Sequence, residues 1–357
     1  MKRNIRIGKH TIGENQPTYF IADIAANHDG DVKRAKLLIK LAKEAGADAV
    51  KFQHHDVKKY VSDYGFKNLG AKFSHQSKWD KSIFDVYKDA EVPTSWTDEL
   101  KAYCEELDIT FFTTPYDLDM VDFFSERVPA FKIGSGDVAW HSMLEKIAKT
   151  GKPVLFATGA STMQEVVNAV NIITKYNIDV VLMQCNTNYT GNDANFKYIN
   201  LNVIETYKTM YPDMIIGLSD HTHGGVTVLG AVAMGVKVVE KHFTDDTSRP
   251  GPDHPFSMDP ASWKKMVDDT KLLELALGSP VKKVEDNEKE TVILQRRSIR
   301  LTTDIKKGDL ITMDKIQFQR PCPEDAFDIN RVEDLLGKRA NMSIENGDYI
   351  RLESIQW

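Results

Sequence analysis

The fold of this chain is decided by two neighbouring segments, IIGLSDHTHGG (215–225) and VKVVEKHFTDDTSRPGPDH (236–254), which a helical stretch separates. Each segment contains a short apolar run that ends in a histidine, His221 in the first and His242 in the second. Such runs are typical of strands buried on both faces of a parallel sheet. Because neighbouring parallel strands end at the same edge, the two imidazoles are predicted to lie together as metal ligands.

Eight runs of this kind alternate with helical patterns along the chain. The predicted strands are Tyr19–Ala25, Ala49–Gln53, Ile109–Thr113, Ala130–Ile133, Val154–Thr158, Val180–Cys185, Ile215–Leu218 and Val236–His242. Eight β-then-α units over roughly 260 residues match an α/β protein with a (βα)8 TIM barrel. An open doubly wound sheet alternates in the same way, but no Gly-rich dinucleotide-binding turn follows the first strand.

Three local features refine this prediction. Apolar spacing predicts helices over Arg34–Gly46 and Ser161–Asn177, with Ser161 as the N-cap of the second. The segment Ile5–Ile12 is predicted to form a small hairpin that closes the floor of the barrel.

The pattern changes after Gly278. We expect a barrel domain over residues 1–279, a charged linker over 280–295 and a small β-rich domain over 296–357. The tail repeats itself at an offset of 39 residues, so that DIKKGDLITMDKI aligns with SIENGDYIRLESI. A repeated Gly-Asp turn between β-branched residues predicts a pseudo-symmetric β domain, too small to bury a large core by itself.

Composition excludes several classes of function. The chain has 357 residues, 46 basic and 52 acidic, with a net charge of −6 and no long basic run, which argues against nucleic-acid binding. It has no signal-peptide pattern and no apolar run near the ~18 residues of a membrane span. Three scattered cysteines without a CxxC motif favour a reducing compartment, so we expect a cytoplasmic protein that does not bind membranes.

Polar residues at the strand ends indicate an anion site. Buried lysines are costly unless they are paired, and Lys51 and Lys132 lie within apolar strands. With Thr114 and Ser135 nearby, they predict a pocket for phosphate or carboxylate. Beside it, His221 and His242 suit Mn²⁺, Fe²⁺, Co²⁺ or Zn²⁺, with carboxylates as oxygen ligands or bases. Metal-assisted addition to a carbonyl by a phosphorylated nucleophile would use both halves.

The order of the strand-end motifs resembles that of one known family. The motifs are ADIAANHDGD, KFQ, TTPYD, KIGSGD, ATGAST, GLSDHT, EKHFTDD and RPGPDH. Together they resemble the N-acetylneuraminate (sialic acid) synthase family, and the tail from RRSIRLTTDIKKGD to ENGDYI resembles its SAF (type III antifreeze-like) domain. The resemblance implies condensation of phosphoenolpyruvate with an N-acylated hexosamine to a nonulosonic acid and phosphate, in a domain-swapped homodimer that uses Mn²⁺ or Mg²⁺.

The resemblance also implies a role for each matching residue. His221 and His242 would bind the metal, which polarises the sugar aldehyde. The predicted catalytic carboxylates are Asp23, Asp137 and Asp253. The phosphoenolpyruvate site would be lined by Lys51, Thr114, Lys132, Ser135 and Ser219. The sugar would meet Gln53, Asp80, Asn188 and Tyr189, and Arg320 would reach its acyl group from the small domain of the partner subunit.

This chain departs from the family pattern mainly where the sugar would bind. The family usually has Glu at the positions of Asp23 and Asp137, often Asn at Asp80, Ser at Ala157 and Pro at Thr190. We therefore expect the reaction to be kept and the acceptor to differ from plain N-acetylmannosamine. A diacetamido sugar of the legionaminic or pseudaminic type, or another modified mannose, would fit these departures.

Three other functions are compatible with a barrel of this kind. A Schiff-base aldolase would use Lys132 or Lys51 and leave the histidine pair without a task. A sister phosphoenolpyruvate-condensing synthase would make a seven- or eight-carbon acid, which the attached SAF domain disfavours. A non-catalytic sugar-binding barrel would explain the two Asp residues that replace Glu.

Overall fold

The computed structural model describes residues 4–69, 76 and 79–357. The chain divides into two compact units, Met1–Gly278 and Ser279–Trp357, each with its own hydrophobic core. None of the helices in these described ranges has the length and apolar character needed to cross a bilayer.

The first unit is a closed barrel of eight parallel strands, which confirms the predicted TIM barrel. The barrel strands are β3 Tyr19–Asp23, β4 Ala49–His54, β5 Thr110–Pro115, β6 Phe131–Ile133, β7 Val154–Ala157, β8 Val180–Cys185, β9 Ile215–Asp220 and β10 Val238–His242. Each strand pairs with the next, and β10 pairs with β3 to close the ring, which rules out the open doubly wound sheet.

Helices follow the strands and surround the barrel. They are α1 Val32–Glu44, α2 Val57–Tyr60, α3 Asp63–Asn68, α4 Ile83–Asp89, α5 Thr97–Glu106, α6 Leu118–Phe124, α7 His141–Lys149, α8 Met163–Thr174, α9 Val203–Met210, α10 Val226–Ala233 and α11 Pro260–Leu277. The buried core between strands and helices includes Phe52, Phe112 and Phe156 from the strands and Leu38 and Ile147 from the helices.

The start of α8 corrects one prediction. The N-cap is Thr162 rather than Ser161, because the Thr162 side chain accepts from the Glu165 amide while the Glu165 carboxylate accepts from the Thr162 amide. This reciprocal pair is a capping box. Ser161 and Thr162 are both followed three residues later by a suitable partner, Gln164 and Glu165, and the helix uses the second pair.

The N-terminal segment forms the expected hairpin from β1 Ile5–Ile7 and β2 His10–Ile12. The buried side chains of Ile5, Ile7 and Ile12 belong to the barrel core. Lys9 in the turn pairs with Asp108, two residues before β5 begins. The hairpin therefore lies at the amino-terminal end of the strands, opposite the end where TIM-barrel sites form.

The second unit contains α12 Lys289–Gln295, β11 Ser298–Leu301, β12 Ile316–Gln319, α13 Val332–Leu335, β13 Arg339–Ala340 and β14 Ile355–Gln356. The helix α12 occupies the second half of the stretch expected to be a linker.

The predicted repeat is a structural pseudo-twofold. Equivalent residues Ile305 and Ile344 bridge each other, and their amides and carbonyls exchange hydrogen bonds of 3.0 and 2.9 Å. Gly308 and Gly347 both have positive φ, as the repeated turn requires.

Candidate active site

The carboxyl ends of the barrel strands bring most of the predicted site residues to one level. In the register of the sheet, His242 of β10 pairs with Asp23 of β3, and Asp23 pairs with Lys51 of β4. Two residues before His242 on β10, Glu240 pairs with Ser219 of β9. Since alternate residues of a strand share a face, these side chains converge inside the mouth of the barrel.

Lys51 lies at the centre of the cluster and is almost fully buried. Its Nζ donates to Asp23 Oδ2 at 2.7 Å and to Thr114 Oγ1 at 3.2 Å, and Glu240 Oε2 is 4.0 Å away. Burial alone would lower the pKa of Lys51, but the carboxylates of Asp23 and Glu240 raise it above its ordinary value. The ammonium is therefore held in its charged form.

Lys132 forms the second positive group. Its Nζ is 3.3 Å from Glu240 Oε1, and the hydroxyl of Ser219 donates to the same oxygen at 3.1 Å. Ser135, in the turn after β6, accepts a hydrogen bond from the Gly159 amide at 2.9 Å. The five residues predicted to bind phosphoenolpyruvate thus lie at the ends of β4, β5, β6 and β9, as expected for a shared pocket.

Glu240 is the residue that sequence reasoning missed. Its carboxylate is buried between the two lysines, and its Oε2 makes no hydrogen bond within the described chain. The available signal was an acid inside an otherwise apolar strand of a barrel that also holds two lysines inside apolar strands. Because it balances part of the positive charge, it lets both ammonium groups stay buried before an anion binds.

His221 and His242 lie side by side, with ring centroids 5.4 Å apart. The Tyr189 ring contacts His221 edge-on, with centroids 4.7 Å apart. His221 Nδ1 is 3.0 Å from the Asn186 carbonyl oxygen, so its Nε2 is the nitrogen left to bind a ligand. His242 Nδ1 is buried without a hydrogen bond, and Asp253 Oδ2 is 3.9 Å from it.

These donors fit a divalent metal as a partial site. Burial lowers the pKa of His242 against the opposing carboxylates of Asp23 and Asp253, which favours the neutral imidazole that a metal needs. The pKa of His221 is raised, because Cys185 outweighs the effect of burial, so metal binding there would have to displace a proton. Within the described residues, no group of three His, Cys, Asp or Glu side chains is arranged to hold an ion. The two imidazoles would therefore need oxygen atoms from other sources, such as water or substrate, to complete the coordination.

The candidate catalytic carboxylates lie in different environments. Burial alone would raise the pKa of Asp23, but Lys51 and His242 hold it below its ordinary value. Burial raises the pKa of Asp137 to about 6, against a smaller effect of Lys132. Asp253 Oδ2 accepts from the Ala26 amide at 3.1 Å, which ties the loop after β10 to the end of β3.

The predicted sugar-binding residues are less closely grouped. The amide of Gln53 donates to Asp23 at 3.0 Å, so this side chain belongs to the central cluster. Asn188 Oδ1 accepts from Thr190 and Asn195 and so organises its own loop. Asp80 is exposed, and Arg320 is an exposed residue of the second unit whose Nε donates to the Gln295 carbonyl oxygen at 2.7 Å.

Comparison with known proteins gives a consistent result over nearly the whole chain. The NeuB family model matches residues 38–282, and the SAF domain model matches residues 296–356. An N,N'-diacetyllegionaminic acid synthase of Campylobacter jejuni is 33% identical over 94% of this chain and 99% of its own length. The human N-acetylneuraminate-9-phosphate synthase is also 33% identical, over 96% of this chain and 94% of its own.

A solved structure agrees with these relatives. The N-acetylneuraminic acid synthetase of Leptospira borgpetersenii, determined in complex with citrate, superposes with a TM-score of 0.71 at 30% identity. The match covers 82% of this chain and 96% of that one.

Proposed function

The chain belongs to the NeuB family, and we propose that it condenses phosphoenolpyruvate with an N-acylated hexosamine to a nonulosonic acid and phosphate. Family membership makes it a carbon–carbon bond-forming transferase. The observation that carries the proposal is that an anion-binding group and a metal-binding group lie together at the mouth of the barrel. Two buried lysines, each near a carboxylate oxygen of Glu240, lie beside two adjacent imidazoles.

The lysine half of the site suits phosphoenolpyruvate. Lys51 and Lys132 offer two buried ammonium groups, and the hydroxyls of Thr114, Ser135 and Ser219 lie at neighbouring strand ends. A substrate with a phosphate and a carboxylate carries enough negative charge to pair with both lysines. The charged state of Lys51 disfavours the aldolase alternative, because a Schiff base forms only from a neutral amine.

The imidazole half suits the acceptor. We propose Mn²⁺ or Mg²⁺ there, held by His221 and His242 with Asp253 close by. Such an ion, when bound, polarises a carbonyl oxygen and favours nucleophilic addition. In the proposed reaction, C3 of the enol attacks the aldehyde carbon, water adds at C2, and the C–O bond to phosphate breaks.

Two carboxylates provide the proton transfers in this scheme. Asp23 is held ionised by Lys51 and can accept a proton. Asp137, with a pKa raised to about 6, can hold or release one near neutral pH. In many active sites, the environment gives two carboxyl groups different pKa values, so that one acts as the acid and the other as the base.

The remaining proposals concern the acceptor and the assembly. We propose a diacetamido sugar rather than plain N-acetylmannosamine, in line with the departures at Asp23, Asp137 and Asp80. We also propose a domain-swapped homodimer in which Arg320 of one subunit serves the site of the other. We also propose that the barrel domain ends at residue 279 and that the SAF domain begins at residue 296. A cytoplasmic location is proposed as well, and three free cysteines support it.

Phosphate release from phosphoenolpyruvate tests the proposed function. With Mn²⁺ and 2,4-diacetamido-2,4,6-trideoxymannose, we expect acceptor-dependent release that His221→Ala reduces by at least about 100-fold. The matched control is His223→Ala, two residues away, whose exposed ring pairs with Asp193 and should leave the rate unchanged. Full activity on N-acetylmannosamine with none on the diacetamido sugar would refute the proposed acceptor. No release with either sugar would refute the reaction.

A further inference from the structure

A buried ion pair lies directly behind the two imidazoles of the candidate site. It joins Lys241 of β10 to Asp220 of β9, which face each other in the register of the sheet. Each partner immediately precedes one of the proposed metal ligands, His242 and His221. Because successive residues of a strand point to opposite faces, the pair lies outside the mouth of the barrel, on the side that packs against the helices.

The pair is bonded to the turn that carries His221. Both of its side chains are almost fully buried. Lys241 Nζ donates to Asp220 Oδ2 at 2.5 Å and to the Thr222 carbonyl oxygen at 2.6 Å. Asp220 accepts from the Thr222 amide at 3.2 Å, and also from the hydroxyls of Thr222 and of Thr227 on α10. The amide and the carbonyl of the residue that follows His221 are therefore both held by the pair.

Stability of the fold does not require an ion pair at this position. Burying two charges costs so much solvation that neutral groups of similar volume often pack at least as stably. The two strands are also joined by their backbone ladder, which runs from Val238 to Lys241 on β10. The ladder ends at Asp220 on β9, and His221 is the first residue beyond that strand. The pair thus adds a constraint on the backbone where the ladder no longer provides one.

A metal ligand in this position needs two constraints. The imidazole of His221 is oriented by the Asn186 carbonyl oxygen, 3.0 Å from its Nδ1. Its backbone is placed by the bonds from Lys241 and Asp220 to Thr222. Metal–ligand distances tolerate errors of only about 0.2 Å, so a small rotation of this turn would spoil the alignment of His221 with His242.

We propose, resting on the proposed function, that Lys241 and Asp220 are positioning residues that hold His221 beside His242 for metal binding. Neither side chain points into the mouth of the barrel, so the pair acts through the peptide groups of Thr222. Because its two charges cancel, its effect on the site is one of geometry rather than of electrostatic attraction.

Direct binding of Mn²⁺ tests the proposal without relying on activity. Free Mn²⁺ is measured by electron paramagnetic resonance while the full chain is titrated at about pH 8, above the ordinary pKa of an imidazole. Wild-type protein should bind the ion at a site that His221→Ala removes. Lys241→Met takes away the donor to the Thr222 carbonyl and should raise the dissociation constant for Mn²⁺ by at least about tenfold.

A double variant separates positioning from charge balance. If Lys241 served only to compensate Asp220, the combination of Lys241→Met with Asp220→Asn would restore the affinity for Mn²⁺. Under the proposal, the double variant still binds at least about tenfold more weakly than wild type. The matched control is Lys237→Met, just before the same strand begins, where the ammonium lies 3.6 Å from Glu274. Its dissociation constant should stay within about twofold of wild type.

The outcomes distinguish this inference from the proposed function. A double variant that unfolds cooperatively and binds Mn²⁺ as tightly as wild type overturns the inference and leaves the proposed function standing. An equal loss of affinity in Lys237→Met also overturns it, because any change on β10 would then loosen the site. Wild-type protein that binds Mn²⁺ no better than His221→Ala overturns the proposed metal site, and this inference with it.

A milder change decides the question if the double variant does not fold. Thr227→Val removes one hydrogen bond to Asp220, of 2.6 Å, and leaves both charges in place. It should raise the dissociation constant for Mn²⁺ by at least about threefold. An unchanged constant overturns the inference.

Discussion

At the scale of single residues, the site depends on how buried charges are distributed. Glu240 lies between Lys51 and Lys132, and Asp23 pairs with Lys51 and Gln53. Removing one member of such a cluster leaves another charge buried without a partner. The loss in the free energy of unfolding is then on the order of several kcal/mol. Asp137 differs, because its carboxyl has little compensation for burial and its pKa rises to about 6.

This raised pKa predicts a pH-dependent effect of Asp137→Asn. The native wild-type carboxyl holds its proton more tightly than the unfolded one, so its stabilising contribution is complete below about pH 4 and is lost as pH rises through 6. The Asn variant has no such loss. Relative to wild type it should gain at most about 3 kcal/mol in the free energy of unfolding between pH 4 and 8. Denaturant unfolding of both proteins across this range measures the difference.

The exposed carboxyl of Asp213 provides the control, since Asp213→Asn makes the same chemical change outside the site. Its free energy of unfolding is measured over the same pH range and serves as the reference. A constant difference between Asp137→Asn and wild type would show that the half-buried Asp137 carboxyl is not desolvated as the structure indicates.

At the scale of elements, the anion pocket depends on a close approach between the ends of β7 and β8. A Cβ built on Gly159 would lie 1.8 Å from Thr187 Oγ1, 2.9 Å from Ser135 Oγ and 3.0 Å from Cys185 Sγ. No side chain fits there unless these groups move. The Gly159 amide is also the donor that holds Ser135 in place.

Gly159→Ala should therefore weaken phosphoenolpyruvate binding. We expect its KM to rise by at least about tenfold because Ser135 and Thr187 must shift, while the acceptor KM changes less. The matched control is Gly136→Ala in the adjacent turn, where an added Cβ meets nothing within 4 Å. Steady-state kinetics with each substrate varied in turn separate the two effects. Equal KM values for both variants would contradict the assignment of this edge to the phosphoenolpyruvate pocket.

Elements also mark the limit of what the sequence could predict. Apolar runs such as Val180–Cys185 identify buried strands because both faces of such a strand must be apolar. The regular alternation of strands and helices then makes the strands parallel, which places His221 and His242 at the same end of the barrel. The predicted N-cap of α8, Ser161, was wrong by one residue because the next residue, Thr162, also carries a hydroxyl that can cap a helix. The contact between Tyr60 and Tyr87 could not be foreseen, because α2 and α4 are short and only tertiary packing brings their rings together.

At the scale of the whole molecule, the chain joins a barrel to a pseudo-symmetric unit with a small core. The eleven buried residues of that core come largely from the two repeats, in which Ile305 meets Ile344, and Ile311 and Ile350 are fully buried. The repeat explains how so short a segment folds, since each half supplies backbone partners for the other. Arg320 is exposed on this unit, and the proposed dimer assigns it to the active site of the partner subunit.

A hybrid dimer tests whether that site belongs to the partner subunit. His221→Ala and Arg320→Ala subunits, carrying different affinity tags, are co-expressed, and the mixed dimer is isolated through both tags. If Arg320 acts in the partner's site, one of the two sites contains both His221 and Arg320, so the hybrid should recover about half of the wild-type rate. Each parent homodimer, the control, lacks such a site and should stay low at subsaturating acceptor. If Arg320 serves its own subunit, neither site is complete, and a hybrid no more active than the parents would refute the swapped arrangement.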